Sequence, residues 1–222
     1  IGALRPGGMM RRVYEGLGVA GELEFMELNP DGYDHILVGN EQFDIPRGKD
    51  RFADRLKQRF PGEAAGIDRY LDLCEGMAED LLHTFPAETL ADKLAVPWRM
   101  RRVARHGLRP LESFVDGLVG DPLLKAILCM QAGDHGVAPA RVPTIQHAAV
   151  VNHYLDGGFY PVGGARALPK AFIKVLRRHG GTIKLKTAVE EILVAGIGRN
   201  AKAIGVRPVS YTHLTLPTTY TV

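Results

Sequence analysis

Cysteine is nearly missing from this 222-residue sequence: Cys74 and Cys129 are the only two, far apart and each in an apolar helical context. With no CxxC pair and no Cys/His ligand spacing, they read as reduced core thiols, not as a disulfide framework or a metal site. No apolar run approaches the ~20 residues that a membrane span needs, and no signal peptide opens the chain. The G-x-S-x-G elbow of serine hydrolases and the H-E-x-x-H pair of zinc peptidases are both absent. Charge is nearly balanced: 28 Lys and Arg against 25 Asp and Glu leave a net +3, too little to argue for a nucleic-acid partner. What is present is the composition of a globular protein, 45% hydrophobic and 24% charged, long enough for one large domain or two small ones.

Both ends break that pattern. The chain opens on IGALRPGG without an initiator methionine, as if in mid-loop. The last fifteen residues, Pro208 to Val222, contain no Lys, Arg, Asp or Glu, and VSYTHLTLPT resembles a translated sequencing adapter. Residues 208–222 are therefore set aside as non-biological; a Thr-rich strand is the competing reading.

Along the rest, residues 22–46 carry strand signals. Leu23, Phe25 and Leu28 form a short run before the turn NPDG, and YDHILV and EQFDI flank Gly39-Asn40 as a tight hairpin. From Gly48 the period becomes helical. Phe52, Leu56 and Phe60 line one face up to Pro61, and Ala64 to Leu81 predicts a long amphipathic helix. Shorter helices follow to residue 132, with Ser113 and Asp121 as N-caps, and another spans about Pro143 to Tyr154. A helix through Leu168 and Leu176 ends at Gly180-Gly181. TIKLKT, VEEILV and KAIGVR then read as strands. The fold class is α/β plus α+β: a helix feeding short strands, after an α+β module over residues 22–154.

Local chemistry is sparse. His147 and His153 stand six apart on a helix, about 240° round, so they cannot chelate one metal from a single face. Asp134-His135 in a loop reads as solvated before it reads as a catalytic pair. Glu190 and Glu191 point to opposite faces of a strand. One cluster is conspicuous: Arg99, Arg101, Arg102, Arg105 and Arg109 surround Trp98, Val103 and Leu108. A basic amphipathic helix over Trp98 to Arg109 is either a solvated face or a contact with an anionic membrane surface. Gly163-Gly164 precede a helix but match neither G-x-G-x-x-G nor the P-loop spacing, and no buried strand leads into them.

The order of elements nevertheless matches a known pattern. YPVGGARALPKAF, a helix ending RRHGG, then TIKLKTAVEEIL and AIGVR resemble flavin-dependent oxidoreductases of the phytoene desaturase class. The opening IGALRPGGMMRRV and FDIPRGKDRFADRLKQRFPGEAAGIDRYLDLC are similar to its carotenoid isomerase and retinol saturase branch. The resemblance spans residues 1–207.

It implies a partial two-domain FAD-dependent oxidoreductase fold, without the N-terminal Rossmann βαβ and the C-terminal FAD segment. Residues 1–20 would end a first FAD segment, 21–158 would form the substrate domain, and 159–207 would be a middle FAD segment. Val189 matches a backbone contact to the adenine end of FAD. Gly163 and Gly164 match the re-entry loop, and Gly2 and Ala3 a stretch close to the flavin. The implied substrate is an apolar polyene, carotenoid- or retinoid-like, with peripheral membrane contact through Trp98–Arg109 and a cytoplasmic, membrane-associated setting. No catalytic side chain and no metal follow from it. An amine oxidase of the same superfamily and a non-catalytic lipid-binding module are the competing functions.

Overall fold

The computed structural model describes residues 1–84 and 89–209. Residues 210–222, nearly all of the segment set aside above, lie outside that range. The described chain divides into two compact units, Ile1–Ala171 and one starting at Phe172.

In the first unit, α1 (Met9–Gly16) leads to β1 (Phe25–Glu27) and then to the hairpin β2 (Asp34–Val38) and β3 (Glu41–Ile45). Val38 pairs with Glu41 around Gly39-Asn40, as the turn residues predict. β1 does not join this hairpin. It pairs antiparallel with β4 (Phe159–Pro161), Phe25 opposite Pro161 and Glu27 opposite Phe159. A short strand therefore does lead into Gly163-Gly164, but an antiparallel and half-exposed one.

The helical module contains α2 (Lys49–Arg59), α3 (Ala64–Thr84), α4 (Leu90–Arg99), α5 (Leu111–Asp116), α6 (Pro122–Cys129) and α7 (Thr144–Tyr154). The 3.6-residue period explains its core. Phe52 and Leu56 of α2 and Ile67, Leu71, Cys74 and Met77 of α3 are buried, and α3 packs along α7. Each such large side chain contributes about 1.5–3 kcal/mol on leaving water. α6 starts where Asp121 accepts hydrogen bonds from the Leu123 and Leu124 N–H groups, with Pro122 in the first turn. Ser113 is not a cap. It lies inside α5, whose N-cap is Pro110. The basic stretch from Trp98 is not one α-helix either: α4 ends at Arg99, and Val103–Gly107 form a π-helical turn.

α8 (Ala167–Arg178) carries the predicted stripe and ends before Gly180, at φ +76°. In the second unit β5 (Val189–Ala195) and β6 (Lys202–Pro208) form an antiparallel hairpin. TIKLKT is not a strand. Its alternation is real, but it has no ladder partner, and Lys186 takes a left-handed φ of 52°. Pro208 belongs to β6, opposite Val189, so the ladder runs into the segment that composition had set aside.

Candidate functional site

A cleft of about 380 Å3 in the first unit lies where the N-terminal segment meets β1 and β4. Leu4, Tyr14, Leu23, Phe25 and Phe159 give it an apolar wall, with Tyr14 stacked on Phe25 at 5.9 Å between ring centroids. Burial raises the Tyr14 hydroxyl above its ordinary value, so the ring enters this wall neutral. Arg5, Arg11, Glu15 and Glu27 supply the polar rim. Glu27 accepts from both Arg5 and Arg47 at 2.5 Å. Desolvation pulls its carboxyl upward, but the two guanidinium hydrogen bonds outweigh that and hold it below the usual range. Arg5 Nε also donates to the Asp156 carbonyl at 3.2 Å. The clamp thereby ties the start of the chain to β1 and to the turn before β4.

The same segment fixes Gly2 and Ala3. The Phe159 N–H donates to the Ile1 carbonyl at 2.8 Å, and the Gly2 N–H donates to His153 Nε2 at 2.9 Å. With Nε2 accepting, neutral His153 carries its proton on Nδ1. Burial lowers the pKa of His153, so it is neutral near pH 7. A Cβ on Gly2 would sit 2.0 Å from the His153 carbonyl oxygen, so only glycine allows this approach. Ala3 follows at φ 53°, a left-handed conformation costing roughly 1–2 kcal/mol for a residue with a Cβ. Gly163 and Gly164 both take positive φ, 85° and 77°, in the turn just after β4, and the Gly164 N–H donates to the Pro161 carbonyl. They form a turn, not a row of N–H groups aimed at a phosphate.

Val189 belongs to the second unit. It opens β5 and is 53% exposed, beside a register shift in the ladder. The Val209 N–H donates to the Ala188 carbonyl at 2.8 Å, so Val189 and Pro208 form a non-hydrogen-bonded pair, and the main-chain groups of Val189 point away from β6. The described residues hold no glycine-rich phosphate cradle of the G-x-G-x-x-G or P-loop kind.

A second polar cluster escaped the sequence reading. His147 is fully buried on α7. Tyr70 Oη donates to the Leu128 carbonyl at 2.9 Å, and His147 Nε2 lies 2.9 Å from that oxygen and from Tyr70 Oη. With Nε2–H donating to Leu128, Nδ1 keeps a lone pair and has no partner. Burial pushes the pKa of His147 down to about 4, the Leu128 bond opposes this and His135 adds to it. Both ring nitrogens of His135 are likewise shut from solvent without a partner. A lone histidine among apolar residues gives no sequence signal for such a cluster. Burial raises the thiol pKa of Cys74 to about 12 and that of Cys129 to about 11, so neither is a nucleophile near neutrality. Among the described residues no group of three His, Cys, Asp or Glu is placed to hold a metal, and no helix is long and apolar enough to cross a membrane.

No family model matches the chain. Individual proteins do. It is 31% identical over 186 residues to an all-trans-retinol 13,14-reductase of Danio rerio, covering 78% of this chain and 30% of that protein. The human all-trans-retinol 13,14-reductase is 27% identical over 217 residues, 93% of this chain and 35% of its own length. A neurosporene-forming phytoene desaturase of Rhodobacter capsulatus is 41% identical over 58 residues, 26% of this chain and 10% of that enzyme. These relatives are reductases and a desaturase by name, and the chain belongs to the retinol saturase-like and phytoene desaturase-like family. It spans about a third of the length of the reductases it matches.

Proposed function

We propose that this chain is part of an FAD-dependent oxidoreductase that acts on an apolar polyene, carotenoid- or retinoid-like, by desaturation, saturation or redox-assisted isomerisation. The observation that carries the reading is the similarity to all-trans-retinol 13,14-reductases along 78–93% of the chain. Residues 21–158 are the substrate domain in this reading, and 159–207 one segment of a discontinuous FAD domain completed by polypeptide outside these 222 residues. The β5–β6 hairpin supports that division. Val189, Ile192 and Val194 of β5 and Ile204 and Val206 of β6 are all exposed. An isolated two-stranded sheet with such rows is marginal in water until another layer covers it.

The flavin, when bound, supplies the electron sink, and the protein supplies position and a dry cavity. Val189 would meet the adenine edge through its backbone. Gly2 and Ala3 would bring main chain close to the flavin, with His153 holding the Gly2 N–H in place. Gly163 and Gly164 turn the chain back toward the FAD segment. The aromatic cleft walled by Tyr14, Phe25 and Phe159 suits an apolar substrate. Peripheral membrane contact through Trp98–Arg109, at the surface from which such a substrate is drawn, completes the reading and sets the protein in the cytoplasm against a membrane.

The test is the visible spectrum of the protein purified from its complete reading frame. Bound flavin that is bleached by reductant, and that anaerobically either is re-oxidised by a polyene acceptor or is reduced by a polyene donor, is the expected result. A colourless protein that still takes up no FAD on reconstitution overturns the reading.

A further inference from the structure

Leu90, Leu94 and Trp98 lie on successive turns of α4 and are 73%, 75% and 74% exposed. At about 100° per residue they share, with Ala91 and Pro97, an arc of about 120°. Large apolar side chains grouped this way in water mark an interaction face.

The segment itself is mainly cationic, and the acids that α3 presents to it, Glu79 and Asp80, are engaged by Arg102. Residues 89–109 contain six cations, Lys93, Arg99, Arg101, Arg102, Arg105 and Arg109, and a single acid, Asp92. Asp92 is already engaged, closing a capping box with Thr89 and pairing with Arg99 at 3.1 Å. Arg102 is held inward by Asp80, at 2.7 Å, and by the Gly76 carbonyl. Arg101 stays outside, its guanidinium 5.5 Å from the centre of the Trp98 ring, and Arg105 is exposed. The π-helical turn buries Val103 and Gly107 and packs on α7, which anchors this cationic segment to the core.

We infer that the Leu90–Leu94–Trp98 stripe docks on an anionic lipid bilayer, with α4 in the headgroup plane and Arg101 and Arg105 meeting lipid phosphates. Charge complementarity selects this occupant. A protein partner would need an apolar groove rimmed with carboxylates, whereas an anionic leaflet presents both layers at once. The inference sharpens the peripheral contact proposed above, moving its apolar part onto α4, and it is independent of the flavin chemistry.

Trp98 is the only tryptophan of the chain, so its emission reports this face directly. The full chain is titrated with phosphatidylcholine vesicles with and without phosphatidylserine. The expected result is a blue shift and quenching by brominated acyl chains on the anionic vesicles, weakening with salt. Leu90→Ser with Leu94→Ser should lower vesicle affinity at least about tenfold. Arg101→Glu with Arg105→Glu should lower it too. Arg102 is left intact because of Asp80, and circular dichroism confirms that the variants fold. Unchanged emission at vesicle saturation, or wild-type sedimentation of the double Leu variant, overturns the inference. So does equal binding to pure phosphatidylcholine. Emission already blue and unquenchable in buffer would assign the stripe to covering polypeptide, and a concentration-dependent shift without lipid would assign it to a second copy. Flavin retention is scored separately, so the two proposals fail independently.

Discussion

His147 should make the first unit acid-labile. Its imidazole is fully buried, its Nε2–H is given to Leu128, and His135 and Tyr70 offer no charge to balance an imidazolium. The folded-state pKa is about 4 against 6.5 for an unperturbed ring. Between those values the unfolded chain binds a proton that the folded chain does not. Stability is therefore full above pH ~6.5 and falls with acidification toward pH ~4, by about 2 kcal/mol at pH 5. Guanidinium unfolding followed by far-UV circular dichroism at pH 7 and pH 5 measures this. His147→Gln keeps an N–H within reach of the Leu128 carbonyl and removes the titration, so its loss should be smaller by about 2 kcal/mol. Equal pH dependence in the two chains would refute the argument.

Two further predictions concern the glycine segment and β5. Gly2→Ala places a methyl against the His153 carbonyl and should cost about 1–3 kcal/mol in chemical denaturation. Gly21→Ala, with open space around it, is the control and should be near neutral. Because Val189 is proposed to act through its backbone, Val189→Thr and Val189→Leu should change FAD affinity by less than about threefold in the flavoprotein, within the ~0.5 kcal/mol of an ordinary surface change. A tenfold loss measured by flavin release would show that the side chain matters.

What could be read from the sequence was local. The β2–β3 hairpin follows from Gly39-Asn40 between alternating runs, α2 and α3 from their period, and the start of α6 from Asp121-Pro122. Thr89-x-x-Asp92 is an equally readable helix start, the capping box of α4. The β1–β4 pair was not readable, because two three-residue strands whose partners lie 132 to 136 positions apart carry no mutual signal until the helical module closes between them. TIKLKT shows the reverse case, alternation without a partner. Of the candidate site, the resemblance pointed to Gly2, Ala3, Gly163, Gly164 and Val189 but not to the cleft or to His153 as the group that pins Gly2. The cations around Trp98 were legible as a cluster. The apolar half of that surface lies one helix earlier and emerges only when exposure shows Leu90 and Leu94 facing water.

The clamp at the start of the chain has a consequence for how the cleft behaves. Ile1, Gly2 and Arg5 bond to partners 151 to 158 positions away. Such a seam closes a very long loop, so it zips late in folding and is the first part of the unit to fray. The cleft straddles that seam, with Leu4 on one bank and Phe25 and Phe159 on the other. Anything that fills the cleft also stitches the two banks together, and slower amide exchange at Gly2 and Phe159 would be its trace.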